Sequence, residues 1–106
     1  MPVLAIFSAP AMRQDQYELL RREIGWERLQ PVGGILHVAS FDAAGGTHVV
    51  DVWESPEALD AFVQQRLAPK MQAHQIAPPS VEVYPVHNLN AYGAIERFIL
   101  RPATSS

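Results

Sequence analysis

Residues 35–59, ILHVASFDAAGGTHVVDVWESPEAL, contain four structural signals in a row. Two runs rich in β-branched residues, 35–41 and 47–53, flank Asp42-Ala43-Ala44-Gly45-Gly46, whose aspartate and paired glycines suit a tight hairpin. Ser55-Pro56-Glu57 follows at once, with an N-cap hydroxyl, a proline at the first helical position and an acid in the first turn. The stretch therefore predicts strand, turn, strand and helix in immediate succession.

Working outward, residues 3–8 form a short β-branched and aromatic run closed by Pro10, which predicts a first strand. Residues 13–24 predict a helix whose apolar stripe is Tyr17, Leu20 and Ile24, with Gly25 as its stop and Glu18 paired to Arg22 on the exposed side. Residues 26–34, with Pro31 and Gly33-Gly34, read as a connecting loop. After Ser55 the second helix carries Leu59, Phe62, Val63 and Leu67 on one face. Pro69, which lacks an amide donor and clashes with the preceding turn, predicts a break or kink there. A short helical piece over 70–75 and an extended connector over 76–79 lead to a fourth strand marked by Val81, Val83 and Val86. Pro85 makes that strand an edge strand or its own end.

The order is βαββαβ, an α+β ferredoxin-like sandwich over residues 1–90 with two helices on one face of the sheet. The second and third strands are apolar on both sides, with Leu36, Val38, Val50 and Val52 on one face and Ile35, Ala39, Val49 and Trp53 on the other. The uncovered face needs a partner, and a second copy of the chain is the simplest one. The tail, 91–106, keeps Tyr92, Ile95, Phe98, Ile99 and Leu100, so it is expected to pack on this subunit or a neighbour, with 101–106 disordered.

Composition narrows the function. At 106 residues with 48% hydrophobic content the chain supports one small core and no second domain. The absence of cysteine excludes disulfides, thiolate metal sites and a cysteine nucleophile. A formal net charge of -3 argues against a nucleic-acid partner. The apolar start has no preceding Lys or Arg, and no run approaches the ~20 apolar residues of a membrane span, so no membrane partner is expected and the cytoplasm is the default location. Phosphate-binding, dinucleotide, nucleophile-elbow and short metal-ligand motifs are missing, and neither a metal nor another cofactor is expected.

Side chains alternate along a strand, so His37 and Asp51 share a face, and pairing Phe41 with Thr47 sets them directly opposite each other. A carboxylate there would hold the imidazole in one tautomer, which is the arrangement of an oriented general base. Alternatively, the two simply satisfy each other at an interface or beside water. Phe7, Phe41, Trp53 and Phe62 would line an aromatic pocket or form core. His74 sits near a helix C-terminus, where its charge is favourable, and His48 lies beside the hairpin turn in solvent.

The first strand, the hairpin ending in VVDVWESPEAL, the helix DAFVQQRLAP and the last strand VEVYPVHN together resemble the dimeric α/β-barrel superfamily, in particular the antibiotic biosynthesis monooxygenase-like group. The resemblance covers residues 2–90 and implies a homodimer whose two sheets close into a shared barrel, with a pocket between sheet and helices in each subunit. It also implies that the fourth strand of one subunit runs near the second strand of the other, so His87 could meet His37 across the interface. The haem-degrading branch, with an asparagine on the first strand and a tryptophan and histidine on the second helix, is disfavoured by Phe7-Ser8 and Phe62 at the first two positions, and only His74 comes near the third.

The leading expectation from this resemblance is a cofactor-independent monooxygenase-like enzyme acting on a hydroxylated aromatic or quinol. His37 and Asp51 would be catalytic, and Phe7, Trp53, Phe62 and His87 would contact a small apolar or aromatic ligand. A non-catalytic small-molecule-binding or stress-associated dimer is the alternative, and an isomerase or lyase using the same base is a third.

Overall fold

The computed structural model describes residues 1–102. Strand β1 (Val3–Ala9) leads to helix α1 (Gln14–Ile24), and β2 (Gly34–Phe41) and β3 (Thr47–Trp53) form the hairpin. Helix α2 (Pro56–Phe62) continues through a π-helical stretch, Val63–Leu67, into α3 (Ala68–Ala73), and β4 (Ser80–Pro85) is followed by a 3-10 turn, Gly93–Arg97. The four strands are antiparallel in the order β2-β3-β1-β4, so β2 and β4 are the edges and each helix crosses over a strand inserted between its neighbours. This is the ferredoxin-like α+β arrangement, and β4 is an edge strand that ends at Pro85 as its sequence predicts.

Local chemistry explains the element ends. Gln16 reaches back to accept from the Arg13 amide at 2.9 Å, and Gly25 closes α1 in the left-handed region at φ 70°. Ser55 accepts from the Ala58 amide at 3.1 Å and Pro56 opens α2. The break or kink expected at Pro69 takes the form of a π-helical interruption ahead of it, and the chain stays helical through the proline. The widened π turn immediately before it relieves the clash between the proline ring and the carbonyl a turn back, and the missing amide falls in the first turn of α3. On α1, Glu18 pairs with Arg21 at 2.8 Å, not with Arg22, because Arg21 also bonds Glu27 in the following loop.

One face of the sheet is covered by the helices. Leu20, Tyr17 and Ile24 of α1 pack with Met71 and Ile76, while Val3, Ala5 and Phe7 of β1 pack with Trp53 and Leu59. Burying a side chain such as Leu20 contributes about 2 kcal/mol. The other face stays open, leaving Leu36, Val38 and Val50 36%, 51% and 37% exposed. Ile35, expected beside Ala39 on the covered face, sits where the β2–β3 register shifts between Gly34 and Leu36, and it is exposed.

Beyond β4 the side chains of Tyr92, Phe98 and Leu100 are exposed. Of the segment 101–106 expected to be disordered, residues 103–106 lie outside the described residues.

Candidate functional site

The hairpin register is the one its turn predicts: Phe41 pairs with Thr47 and His37 with Asp51. Their side chains meet on the helix-covered side, where His37 Nδ1 lies 2.7 Å from Asp51 Oδ1. The carboxylate is buried, on an inner strand, and its second oxygen accepts from Trp53 Nε1–H at 3.1 Å. Both oxygens are therefore satisfied, which is what a buried carboxylate requires. With Asp51 accepting at Nδ1, a neutral His37 carries its proton there and leaves Nε2 as an acceptor.

That acceptor faces a group the sequence did not reveal. The Tyr17 hydroxyl, from α1, lies 2.7 Å from His37 Nε2, and by the tautomer just assigned it donates. Its ring is buried, within 4° of the imidazole plane, and contacts the edge of Phe41. Burial first, then the charges of Glu18 and Glu27, push this phenol well above its ordinary value near 10. Trp26 completes the cluster, its ring centroid 5.1 Å from His37 and 5.7 Å from Tyr17. The result is a chain of hydrogen bonds, Trp53 to Asp51 to His37 to Tyr17, with the His37 side chain 35% exposed.

Tyr17 reads as a core residue in the sequence because its position in the apolar stripe is all that the helix period shows. The stripe points it at the sheet, but only the packing of α1 over β2 decides which strand residue it meets. Trp26 reads as loop for the same reason.

The other candidates are dispersed. Phe7 lines an apolar cavity of about 350 Å³ between the β1–β4 edge and the second helical segment, together with Leu59, Val63, Met71 and Val83. Asp60 and Gln72 are its polar lining residues, and neither His37 nor Asp51 reaches it. Trp53 and Phe62 pack in the core with tilted rings, centroids 5.3 Å apart. His87 is exposed just past β4, on the opposite edge strand from His37, so the two are not brought together within one chain. His74 bonds Glu23 at 2.9 Å and His48 bonds Asp42 at 2.7 Å, both at the surface. Among the described residues, no group of three or more His, Asp or Glu side chains is gathered to hold a metal ion, and no helix is long and apolar enough to cross a membrane.

The sequence matches no protein-family model and no curated protein. The structure is similar to Rv0793 from Mycobacterium tuberculosis, at 19% identity and a TM-score of 0.66, covering 86% of this chain and 100% of that one. It is similar to a Chloroflexus aurantiacus protein assigned provisionally to the antibiotic biosynthesis monooxygenases, at 18% identity and a TM-score of 0.59, covering 85% and 98%. It is also similar to SnoaB, a cofactor-independent oxygenase from Streptomyces nogalater, at 11% identity and a TM-score of 0.59, covering 83% and 94%. The fold is that of the antibiotic biosynthesis monooxygenase-like proteins. At these identities the likeness is one of fold, and the chemistry has to be argued from the site.

Proposed function

We propose that the protein is a cofactor-independent oxygenase acting on a hydroxylated aromatic or quinol, with His37 as general base and Asp51 as its orienting carboxylate. The observation that carries this reading is the hydrogen bond at His37 Nε2: an imidazole held by a buried carboxylate already accepts from a phenol, the Tyr17 hydroxyl, at 2.7 Å. With the Tyr17 side chain turned aside, a substrate phenol in its place would pass its proton to Nε2, and the imidazolium would face Asp51. The phenolate, carbanionic at a ring carbon, gives an electron to dioxygen, and recombination forms a C–O bond. The imidazolium returns its proton to the peroxide, and loss of water with the ring hydrogen leaves a quinone. Trp26 and Phe41 would flank the substrate ring, and we place the enzyme in the cytoplasm.

We propose further that the working unit is a homodimer in which a second copy covers the open sheet face around Leu36, Val38 and Val50. The exposed side chains of Tyr92, Phe98 and Leu100 in the tail would find cover in the same assembly, and His87 would meet the other subunit there.

A second reading, a non-catalytic binder of a small apolar molecule, is favoured by the cavity beside Phe7, which no histidine lines. Thermal shift with 1,4-naphthohydroquinone and 1-naphthol separates the two. A ligand at 100 times its dissociation constant stabilises the fold by about 2.7 kcal/mol. For the oxygenase, His37→Ala weakens the shift and Val63→Trp leaves it. For the binder, Val63→Trp fills the cavity and abolishes it, while His37→Ala leaves it.

A further inference from the structure

Tyr17 has a role in the network that base catalysis leaves unused. Its hydroxyl is the terminal donor of the chain and its ring is enclosed by Trp26, Phe41 and His37, so substrate does not reach it in this conformation while electrons can. A phenol is a poor electron donor while it keeps its proton, because the radical cation is a very strong acid. It becomes a good one when a base accepts the proton in the same step. The hydroxyl here is 2.7 Å from an unprotonated nitrogen, and the imidazolium that forms is 2.7 Å from a buried carboxylate.

We propose that Tyr17 is a redox-active side chain, a one-electron donor whose phenolic proton passes to His37 Nε2 as the electron leaves for an oxygen-centred radical of the peroxyl class. The electron goes from the Tyr17 ring to the peroxyl radical, which takes a proton from water and becomes a hydroperoxide. The Oη–H bond breaks and an Nε2–H bond forms, leaving a neutral tyrosyl radical beside an imidazolium paired with Asp51. Trp26, half-buried and touching both rings, is the point where the oxidising equivalent enters. The charged groups acting on the Tyr17 phenol are Glu18 and Arg21 on α1, Glu27 in the loop and Asp51 on β3.

The burial that raises the Tyr17 phenol supports this, since the hydroxyl keeps its proton until the oxidation removes it. The inference rests on the hydrogen-bond geometry and not on the oxygenase reading, and it survives if no substrate is turned over.

The test uses the full chain carrying Tyr84→Phe and Tyr92→Phe, two exposed positions, which leaves Tyr17 as the single tyrosine. Photogenerated tris(bipyridine)ruthenium(III) is the oxidant, and the phenoxyl radical is followed by transient absorption and electron paramagnetic resonance. The expected result is a tyrosyl signal whose formation shows a solvent deuterium isotope effect. Formation slows about tenfold in Asp51→Asn, the factor for ~1.4 kcal/mol of barrier, and by at least as much in His37→Ala. Asp51→Asn keeps the shape of the site, so it remains informative if His37→Ala does not fold. A signal confined to tryptophan overturns the proposal, as does a tyrosyl signal with no isotope effect or one formed equally fast in Asp51→Asn.

Discussion

Asp51 would be an expensive residue on an inner strand if either of its oxygens lacked a partner. His37 takes one and the Trp53 indole takes the other. Trp53→Phe keeps a ring against Phe62 and removes the donor, so urea unfolding should show a loss of about 2 kcal/mol from the unpaired buried oxygen. Tyr17 gives a pH-dependent counterpart. Below its ordinary value near 10 the phenol is protonated folded or unfolded. As pH rises past that value the unfolded chain sheds the proton while the folded one keeps it, because burial holds the folded phenol higher. The folded state then binds more protons, so stability falls with rising pH. Denaturation midpoints measured above pH ~10 should decline in the wild type and flatten in Tyr17→Phe, with a remainder from the Tyr84 hydroxyl, which Glu82 also raises. The His37–Asp51 pair is legible in the sequence because strand alternation and a turn length set it. Tyr17 and Trp26 are not, because their meeting with His37 depends on where α1 lies across the sheet.

At the scale of elements, the connection from α1 to β2 is held by a close approach. Gly33 has φ +81°, a conformation that side chains disfavour, and a Cβ there would stand 2.6 Å from the Ala58 Cβ on α2. Gly33→Ala should therefore cost about 2 kcal/mol in equilibrium unfolding from the backbone alone, and more once α2 has to move. The cap at Ser55, the stop at Gly25 and the edge strand ending at Pro85 follow from local chemistry that a sequence displays directly. The way the second helix passes Pro69 does not. Pro69 signals a break or kink, and the π turn that absorbs it is a response of the whole segment, with Val63 and Leu67, its first and last residues, placed against the cavity.

At the scale of the molecule, one sheet face is covered and the other is not, and the sequence shows this imbalance as apolar residues on both sides of β2 and β3. Sedimentation equilibrium should show a dimer, and Val38→Asp, which puts a charge on the open face, should return it to a monomer with its circular dichroism unchanged. A monomeric wild type at micromolar concentration would remove the second copy from the account. The fold is shared with proteins at 10–19% identity, so any chemistry of this chain lies in its own site around His37.

The role of His37 as base can be read from oxygen uptake with 1,4-naphthohydroquinone, corrected for uncatalysed autoxidation. The wild type should consume oxygen above the background, and His37→Ala should fall by about 100-fold or more, the usual contribution of a positioned base. Equal uptake by the wild type and His37→Ala, or no uptake above background by either, would contradict it.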